Sequence, residues 1–177
     1  KLLSPQAYSL ELVDEGPYRL YSEGIACKFS KPASSKKHPK LYTLAADGKL
    51  FYVGIASQSM SSRLSFGFRA NGQSGYHGYK WKKLRHRLAL SVWTAEQEGT
   101  PSTLRDLETV EAEVAFLCRQ QSGQWPEFQH EIHFYPSLPV HREAAAEIYS
   151  HAFNEAPNPS IERTLPGKPV STSHVKR

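Results

Sequence analysis

The chain has 177 residues, 39% of them hydrophobic and 22% charged, which suits one globular domain with extensions. Its net charge of +5 favours a polyanionic partner without requiring one. The sequence has no apolar run near the roughly twenty residues of a membrane span and no signal-peptide pattern. The only cysteines, Cys27 and Cys118, are far apart and argue against a disulfide framework. We therefore expect a cytoplasmic protein that does not enter a membrane.

Short strands are predicted before residue 40. Residues 8–13 and 18–21 alternate between apolar and polar side chains, as half-buried strands do, and residues 24–29 extend the same sheet. Residues 31–39 then form a loop rich in Lys, Pro and Ser. Two interpretations of this loop stay open: it contacts a phosphate backbone, or it is a solvated linker.

A β-hairpin is predicted next, because residues 41–44 and 50–53 are apolar, aromatic-rich runs on either side of Asp47-Gly48. We expect a three-residue loop at 46–48, in which Gly48 takes the left-handed conformation. This loop pairs the two runs as antiparallel strands.

The length of the hairpin loop decides where two tyrosines lie. With the three-residue loop, Ala45 faces Lys49, and Tyr42 faces Tyr52 directly. A two-residue turn would place the tyrosines on opposite faces, because a slip of one residue reverses every side chain. Side-by-side phenols are either a functional arrangement or ordinary cross-strand packing.

A short helix is predicted at residues 60–68, where Ser57 and Ser59 offer hydroxyl caps. This helix carries Arg63 in its first or second turn, near the open end of the hairpin. Two glycines within residues 71–75 end the helix.

Residues 76–87 alternate aromatic and cationic side chains, a composition typical of nucleic-acid contact. Lysine and arginine neutralise phosphates, and aromatic rings stack on bases or wedge between them. Alternatively, the side chains simply pack on the domain. Residues 88–94 then alternate as a third strand. The predicted nucleic-acid contacts are Tyr76, Tyr79, Lys80, Trp81, Lys82, Lys83 and Arg85.

The clearest helix begins at Thr103, which forms a capping box with Asp106, and it ends before Gly123. Glu111 falls on the apolar side of this helix, where a carboxylate is unfavourable unless it has a partner. An arginine, a hydrogen-bond network or a metal ion would each serve. The apolar stripe comprises Leu104, Leu107, Val110, Val114 and Leu117.

The rest of the chain predicts one strand, one helix and a tail. Residues 131–134 alternate as a strand, and Pro139 introduces a helix at about residues 141–153. From residue 154 the composition turns to Pro, Asn, Ser, Thr and Lys, which predicts disorder. The chain therefore divides into an N-terminal extension (1–39), a central domain (40–153) and a flexible tail (154–177).

The order and spacing of four elements in the central domain resemble the GIY-YIG nuclease family. They are Tyr42, the Tyr52-Val53-Gly54 triplet, Arg63 nine residues after that glycine, and Glu111. The first triplet of the family is reduced to Lys40-Leu41-Tyr42, and valine replaces isoleucine in the second. The resemblance covers residue 40 to about residue 134, roughly half of the chain. It implies an α+β domain with a small antiparallel three-stranded sheet flanked by helices, to which the N-terminal extension adds strands.

The resemblance also implies how these residues act in phosphodiester hydrolysis. Arg63 stabilises the phosphate, and Tyr42 orients or deprotonates the attacking water. Tyr52 binds the phosphate or lines the pocket. Glu111, 48 residues after Arg63, holds one Mg²⁺ or Mn²⁺ ion per active site. No small-molecule cofactor is implied.

One position departs from the family pattern. Many members carry His or Tyr four residues after the arginine, and here that residue is Gly67. His77, fourteen residues after Arg63, is the candidate to fill this role, although an ordinary loop histidine is an equal alternative. Further candidates for the same role are Tyr76, Tyr79 and Lys80.

Two further patterns follow the Glu111 helix. Pro126 with Gln129 resembles the proline and asparagine that often end the metal-binding helix of the family. His130 and His133 form a weak metal pattern, because His130 would face away from His133 on a strand.

Three functions follow from these patterns. The first is a metal-dependent endonuclease acting on DNA, as a monomer or a homodimer. The second is a catalytically inactive nucleic-acid-binding module of the same fold, suggested by Gly67 and by the reduced first triplet. The third is a protein-interaction domain, which would show no salt-dependent binding of DNA.

Overall fold

A computed structural model describes residues 5–13, 18–73, 75, 77–84, 87–94 and 103–154. These residues form one six-stranded antiparallel sheet and three α-helices, so the predicted α+β class is confirmed. No helix among them is long and apolar enough to cross a membrane. The strands are β1 (Gln6–Glu11), β2 (Arg19–Ser22), β3 (Ile25–Ala26), β4 (Lys40–Ala46), β5 (Lys49–Ala56) and β6 (Arg87–Thr94). The helices are α1 (Met60–Arg69), α2 (Leu104–Ser122), α3 (Pro139–Asn154) and a 3₁₀ turn at Lys80–Lys83.

The sheet runs in the order β3-β2-β1-β6-β4-β5, which places β5 at one edge. The expected three strands, β5-β4-β6, are only half of it. The extension supplies the other three, since β1 pairs with β6 along its whole length, from Gln6 opposite Val92 to Glu11 opposite Arg87. The strands predicted before residue 40 are therefore confirmed, and they continue the central sheet.

The two faces of the sheet pack against different groups of residues. Leu41 and Val53 face a core built with α2 and α3. Tyr42 and Leu44 face the other side, where Met60 of α1 and the loop after it pack. Each layer follows from the alternation of side chains along the buried strand β4.

The hairpin is confirmed, but its loop is not the predicted one. Asp47 and Gly48 form a two-residue turn with positive φ at both residues (51° and 69°), which is the type I′ geometry. Ala46, rather than Ala45, therefore faces Lys49. Phe51 is then an extra residue in β5, a β-bulge that shifts the register by one.

The α2 helix matches its prediction closely. Thr103 and Asp106 form the capping box, and Gly123 ends the helix with a left-handed φ of 78°. The central residues of the stripe are buried, but Leu104 is exposed, because it lies in the first turn beyond the packed part of the helix.

The predicted strand at 131–134 is wrong. Residues 129–138 form neither a strand nor a helix, and α3 begins at Pro139. The edge groups of β5 that such a strand would need are already bonded: Phe128 N–H donates to Phe51 O, and Val53 N–H donates to the Gln129 side chain. The predicted tail at 154–177 lies outside the described residues apart from Asn154.

Candidate active site

Tyr42 and Tyr52 lie on the same face of the sheet, with ring centroids 5.8 Å apart. They are diagonal neighbours, because the bulge places Tyr42 opposite Gly54 and Leu44 opposite Tyr52. The prediction that the two tyrosines face each other directly is therefore wrong. The two-residue turn alone would place them on opposite faces, and the bulge returns them to the same face. A Cβ atom at Gly54 would lie 2.6 Å from Tyr52 Cε1 and 3.0 Å from Tyr42 Cζ. Glycine at this position leaves the space in which the two rings meet.

Burial keeps both phenols protonated. It raises the pKa of Tyr42 and of Tyr52 well above the usual value, and the nearby Arg63 guanidinium opposes this shift without cancelling it. Neither tyrosine is a phenolate at neutral pH, so both act as neutral hydrogen-bonding groups. Of the two roles expected for Tyr42, deprotonation of water does not fit this environment.

Arg63 lies at the end of the first turn of α1. Ser59 caps this helix, accepting from the N–H of Ser62 at 3.3 Å through its side chain and from the N–H of Arg63 at 2.9 Å through its carbonyl. Arg63 Cζ is 5.7 Å from the ring centroid of Tyr79, and Arg63 Nε is buried without a hydrogen-bond partner among the described residues. Burial lowers the pKa of Arg63, but the surrounding phenols outweigh it and raise the pKa above its usual value. The guanidinium therefore stays charged.

Glu111 lies on α2 where this helix packs against β5. Its Oε1 accepts a hydrogen bond from Gln129 Nε2 at 3.4 Å. Burial raises the pKa of Glu111 to about 7, and Glu108 adds to the rise, whereas Gln129 and Arg63 lower it. The Glu111 carboxyl is thus stabilised by a hydrogen bond from Gln129 and by the positive charge of Arg63.

A cavity of about 780 Å³ lies beside β5 and collects four of the predicted catalytic residues. Tyr52 comes from β5, Arg63 from α1, Glu111 from α2 and His77 from the loop after α1. Tyr42 is fully buried and lies beneath Tyr52, outside the cavity lining. The structure therefore brings Tyr52, Arg63, His77 and Glu111 together and places Tyr42 one layer deeper.

His77 is exposed at the cavity wall. Its ring packs on Gly72, where an added Cβ would lie 2.4 Å from Cε1 of the imidazole. Lys82 Nζ donates to the carbonyls of Ala70 and His77, at 3.1 and 3.3 Å, and so ties the loop together. The position suits exchange of protons with solvent, but the catalytic role of His77 stays a prediction.

Two aromatic residues of the basic stretch, Tyr79 and Trp81, point inward. Trp81 is fully buried, Tyr79 is almost so, and their rings stack with centroids 4.4 Å apart. Both pack with Tyr52 and Phe68 in the core on this side of the sheet. The prediction that Tyr79 and Trp81 contact bases is therefore wrong, and the packing alternative holds for these two rings.

Three cations of the same stretch lie at the cavity. Lys80 and Lys83 are exposed and Lys82 is half-buried, and all three line the cavity wall. They remain candidates for phosphate contacts. Tyr76 and Arg85, the other two predicted contacts, lie outside the described residues.

The ring of Tyr79 fills the space beside Gly67. A Cβ atom at Gly67 would lie 2.0 Å from Tyr79 Cε2. The Tyr79 hydroxyl lies 3.0 Å from the hydroxyl of Tyr42 and donates to the Arg63 carbonyl at 3.3 Å. Tyr79 is thus a candidate for the role missing at Gly67 that reaches this space, whereas Tyr76 lies outside the described residues.

Sequence reasoning missed the contribution of residues 129–133 to the cavity. His130, Glu131 and His133 all line it, because this segment is not a strand and its side chains do not alternate. Partial burial and the charge of Lys80 lower the pKa of His130, so this imidazole is neutral at neutral pH. The run of polar residues after Pro126 could have indicated that this segment lies at the cavity. The alternation at residues 131–134 predicted a strand instead.

The donor set suits a hard cation that keeps most of its water. Among the described residues, no three His, Cys, Asp or Glu side chains converge on one point. Glu111 lines the cavity, forms no ion pair with a described residue and accepts a hydrogen bond from the Gln129 amide nitrogen. Mg²⁺ is commonly held by one or two carboxylates and several waters. Glu111 therefore fits as its protein ligand.

Comparison with family models, curated proteins and solved structures finds no significant match to this chain. The fold and the site define an α+β protein whose antiparallel sheet carries, at one edge, a cavity with an arginine, a carboxyl group and a phenol. The side chains that line this cavity are therefore the basis for proposing a function.

Proposed function

We propose that the protein is a GIY-YIG-type endonuclease that hydrolyses phosphodiester bonds in DNA with one Mg²⁺ or Mn²⁺ ion. The observation that carries the proposal is that Tyr52, Arg63 and Glu111, which are distant in sequence, line one cavity. In addition, β5, β4 and β6 are neighbours in the six-stranded antiparallel sheet, and α1 and α2 follow β5 and β6 along the chain, which supports the proposal.

Arg63 is proposed to hold the scissile phosphate. Its guanidinium is charged and lines the cavity, and its Nε has no partner among the described residues. A buried N–H without an acceptor is unfavourable, and a phosphate oxygen would satisfy it with a charge-assisted hydrogen bond. The planar fork of arginine matches two phosphate oxygens at once. Charge that develops on the phosphate during attack would then meet a cation already in place.

Glu111 is proposed to hold the metal ion, with Gln129 fixing the orientation of the carboxylate. When bound, the ion would supply a water of lowered pKa and stabilise the departing oxygen. Gln129 donates to Glu111 while its own carbonyl oxygen accepts from Val53 N–H at 3.2 Å. The ligand is thus oriented by a side chain that is anchored on the sheet.

The remaining side chains bind and orient. Tyr52, at the cavity wall, is proposed to hydrogen-bond the phosphate or the attacking water. Tyr42 supports Tyr52 and Arg63 from beneath. His77, which is exposed at the cavity wall, is proposed to transfer the proton to solvent.

DNA is the proposed partner because cations gather at the cavity. Lys80 and Lys83 project into solvent at its wall, and the chain carries a net charge of +5. Ammonium groups so placed would neutralise backbone phosphates on either side of the scissile bond.

A plasmid-cleavage assay with Mg²⁺ tests the proposal. The wild-type protein should nick or linearise the plasmid, and EDTA, Arg63→Ala and Glu111→Ala should each abolish cleavage. Arg69→Ala removes an exposed arginine from the last turn of the same helix and should leave cleavage unchanged. A wild-type protein that cleaves nothing, or that cleaves no better than the two site variants, would reject the nuclease.

Binding of nucleic acid without cleavage is the second candidate function. The full burial of Tyr42, the residue expected to act on water, favours it. Metal titration separates the two functions, since the enzyme should bind Mg²⁺ through Glu111. The inactive module should bind DNA in a salt-dependent manner and be indifferent to Glu111→Ala.

A further inference from the structure

We propose that Tyr79 is a positioning residue that holds the Arg63 side chain in its phosphate-binding orientation. This inference rests on the proposed nuclease function, because the orientation of Arg63 matters only if it binds a phosphate. Three observations carry it: the hydrogen bonds of the Tyr79 hydroxyl, the position of its ring beside the Arg63 guanidinium, and the close approach that Gly67 and Gly78 allow.

The direction of the hydrogen bonds can be assigned. The Tyr79 hydroxyl donates to the carbonyl of Arg63 at 3.3 Å, since a carbonyl oxygen can only accept. A hydroxyl has one proton, so in the 3.0 Å contact between the two phenols Tyr79 accepts and Tyr42 donates. The lone pairs of the Tyr42 oxygen are thereby left for other donors.

The Tyr79 ring lies against the Arg63 side chain. Arg63 Cζ is 5.7 Å from the ring centroid of Tyr79, a distance at which an aromatic ring attracts a guanidinium. The hydroxyl of the same ring bonds the Arg63 carbonyl at 3.3 Å. Tyr79 therefore contacts both the backbone and the charged end of Arg63 and restricts the rotamers that this long side chain would otherwise sample.

The helix and the loop are shaped to admit the Tyr79 ring. Gly67 in α1 lies so close that a Cβ there would be 2.0 Å from Tyr79 Cε2. Gly78 has a φ of 74°, and a Cβ on it would be 2.0 Å from the carbonyl oxygen of Gly67. Trp81 stacks on the ring, and the Tyr79 N–H donates to Gly67 O at 3.3 Å. The hydroxyl can reach Tyr42 only because both positions are glycine.

Tyr79→Phe tests the inference, because it removes the hydroxyl and keeps the ring. We expect kcat for plasmid cleavage to fall about ten-fold, the effect of one lost hydrogen bond, with KM for DNA and affinity for Mg²⁺ unchanged. Tyr8→Phe is the matched control, since Tyr8 is another buried phenol whose hydroxyl bonds Gln6 and Ser30 away from the cavity. Its kcat should equal that of the wild type.

Each other outcome overturns the inference. An unchanged kcat in Tyr79→Phe, a variant that fails to fold, or an equal loss in Tyr8→Phe would show that the hydroxyl is dispensable or merely structural. If Tyr79→Phe is unimpaired while Arg63→Ala is inactive, the nuclease stands and this inference falls. If the wild type itself is inactive, both fall.

A double-mutant cycle tests the role of Gly67. Gly67→Ala should lower kcat by displacing the Tyr79 ring, but it should add no further loss in a Tyr79→Ala background. Additive losses would show that Gly67 acts independently of Tyr79 and would overturn this part of the inference.

Discussion

Gln129 donates to Glu111 from a side chain that is itself fixed to the edge of the sheet. Its amide nitrogen lies 3.4 Å from Glu111 Oε1, and its amide oxygen accepts the Val53 N–H at 3.2 Å. The orientation of the carboxyl on α2 is thereby coupled to the backbone of β5. A free edge N–H would otherwise lack an acceptor here, so the same amide satisfies the strand and orients the proposed ligand.

Gln129→Ala should weaken Mg²⁺ binding about 10- to 100-fold, the usual effect of losing a side chain that orients a metal ligand. Isothermal titration calorimetry with Mg²⁺ or Mn²⁺ measures this. Gln121→Ala, which removes an exposed glutamine from the last turn of α2, should bind the ion as the wild type does. Equal affinity in all three proteins would contradict the role assigned to Gln129.

The stability of the metal-free protein should fall as the pH rises. Burial raises the pKa of Glu111 from 4.5 to about 7, so the folded state favours the protonated carboxyl. This contribution is fully present below pH 4.5 and is lost as the pH rises through about 7. Its size is on the order of 3 kcal/mol.

Urea unfolding in EDTA across this pH range measures the effect. The free energy of unfolding of Glu111→Gln should exceed that of the wild type by a margin that grows from pH 4.5 to about 7 and stays constant above that, because the amide carries no charge to bury. Affinity for Mg²⁺ should rise over the same range, because the proton must leave before the ion binds. Parallel stability profiles for the two proteins would show that Glu111 does not titrate in this way.

Gly54→Ala should damage both stability and cleavage. The added Cβ would lie 2.6 Å from Tyr52 Cε1, so the two phenols must separate or the strand must shift. Overpacking of this kind lowers the free energy of unfolding by about 1–3 kcal/mol. Urea unfolding and plasmid cleavage measure the two effects, and a variant as stable and active as the wild type would contradict the close packing of Tyr42 and Tyr52.

Arg63→Lys should lower kcat roughly 100- to 1,000-fold although it preserves the charge. Lysine lacks the planar fork that can bind two phosphate oxygens. Arg69→Lys makes the same change on the exposed side of α1 and should leave kcat unchanged. Full activity of Arg63→Lys would mean that a point charge is enough at this position.

The double variant Lys80→Ala/Lys83→Ala should reduce the salt dependence of DNA binding. Each phosphate contact contributes about one unit to the slope of log K against log [salt], so the slope should fall by about two. Fluorescence anisotropy at several salt concentrations measures it. Lys28→Ala, in an exposed position after the strand at the opposite edge of the sheet, should leave the slope unchanged.

The hairpin shows how far local patterns predict this fold. Alternation and Asp47-Gly48 predict both strands, and the structure confirms them. No local pattern marks the extra residue Phe51, whose ring packs on Phe128 from beyond α2, with centroids 5.9 Å apart. The bulge is a tertiary effect, and so the register of the two tyrosines could not be counted from the turn alone.

The site was predictable where side chains lie on regular elements. The placement of Arg63 and Glu111 at the cavity was predictable, because capping residues and apolar periodicity fix where each residue lies on its helix. The inward orientation of Tyr79 and Trp81 was not predictable, because it depends on a space that Gly67 opens in another element. The sequence shows that residue 67 is glycine, but it does not show which aromatic ring will pack against it.

The pairing of β1 with β6 sets a limit on how the protein can be shortened. A chain trimmed to begin at residue 40 would lack β1, and the six residues of β6 from Arg87 to Val92 would lose their partners on that side, which would make β6 an edge strand. An exposed strand of that length, rich in apolar residues, is a template for association between molecules. Expression of residues 40–154 by themselves should therefore yield aggregates, and a minimal soluble version must retain the first strand.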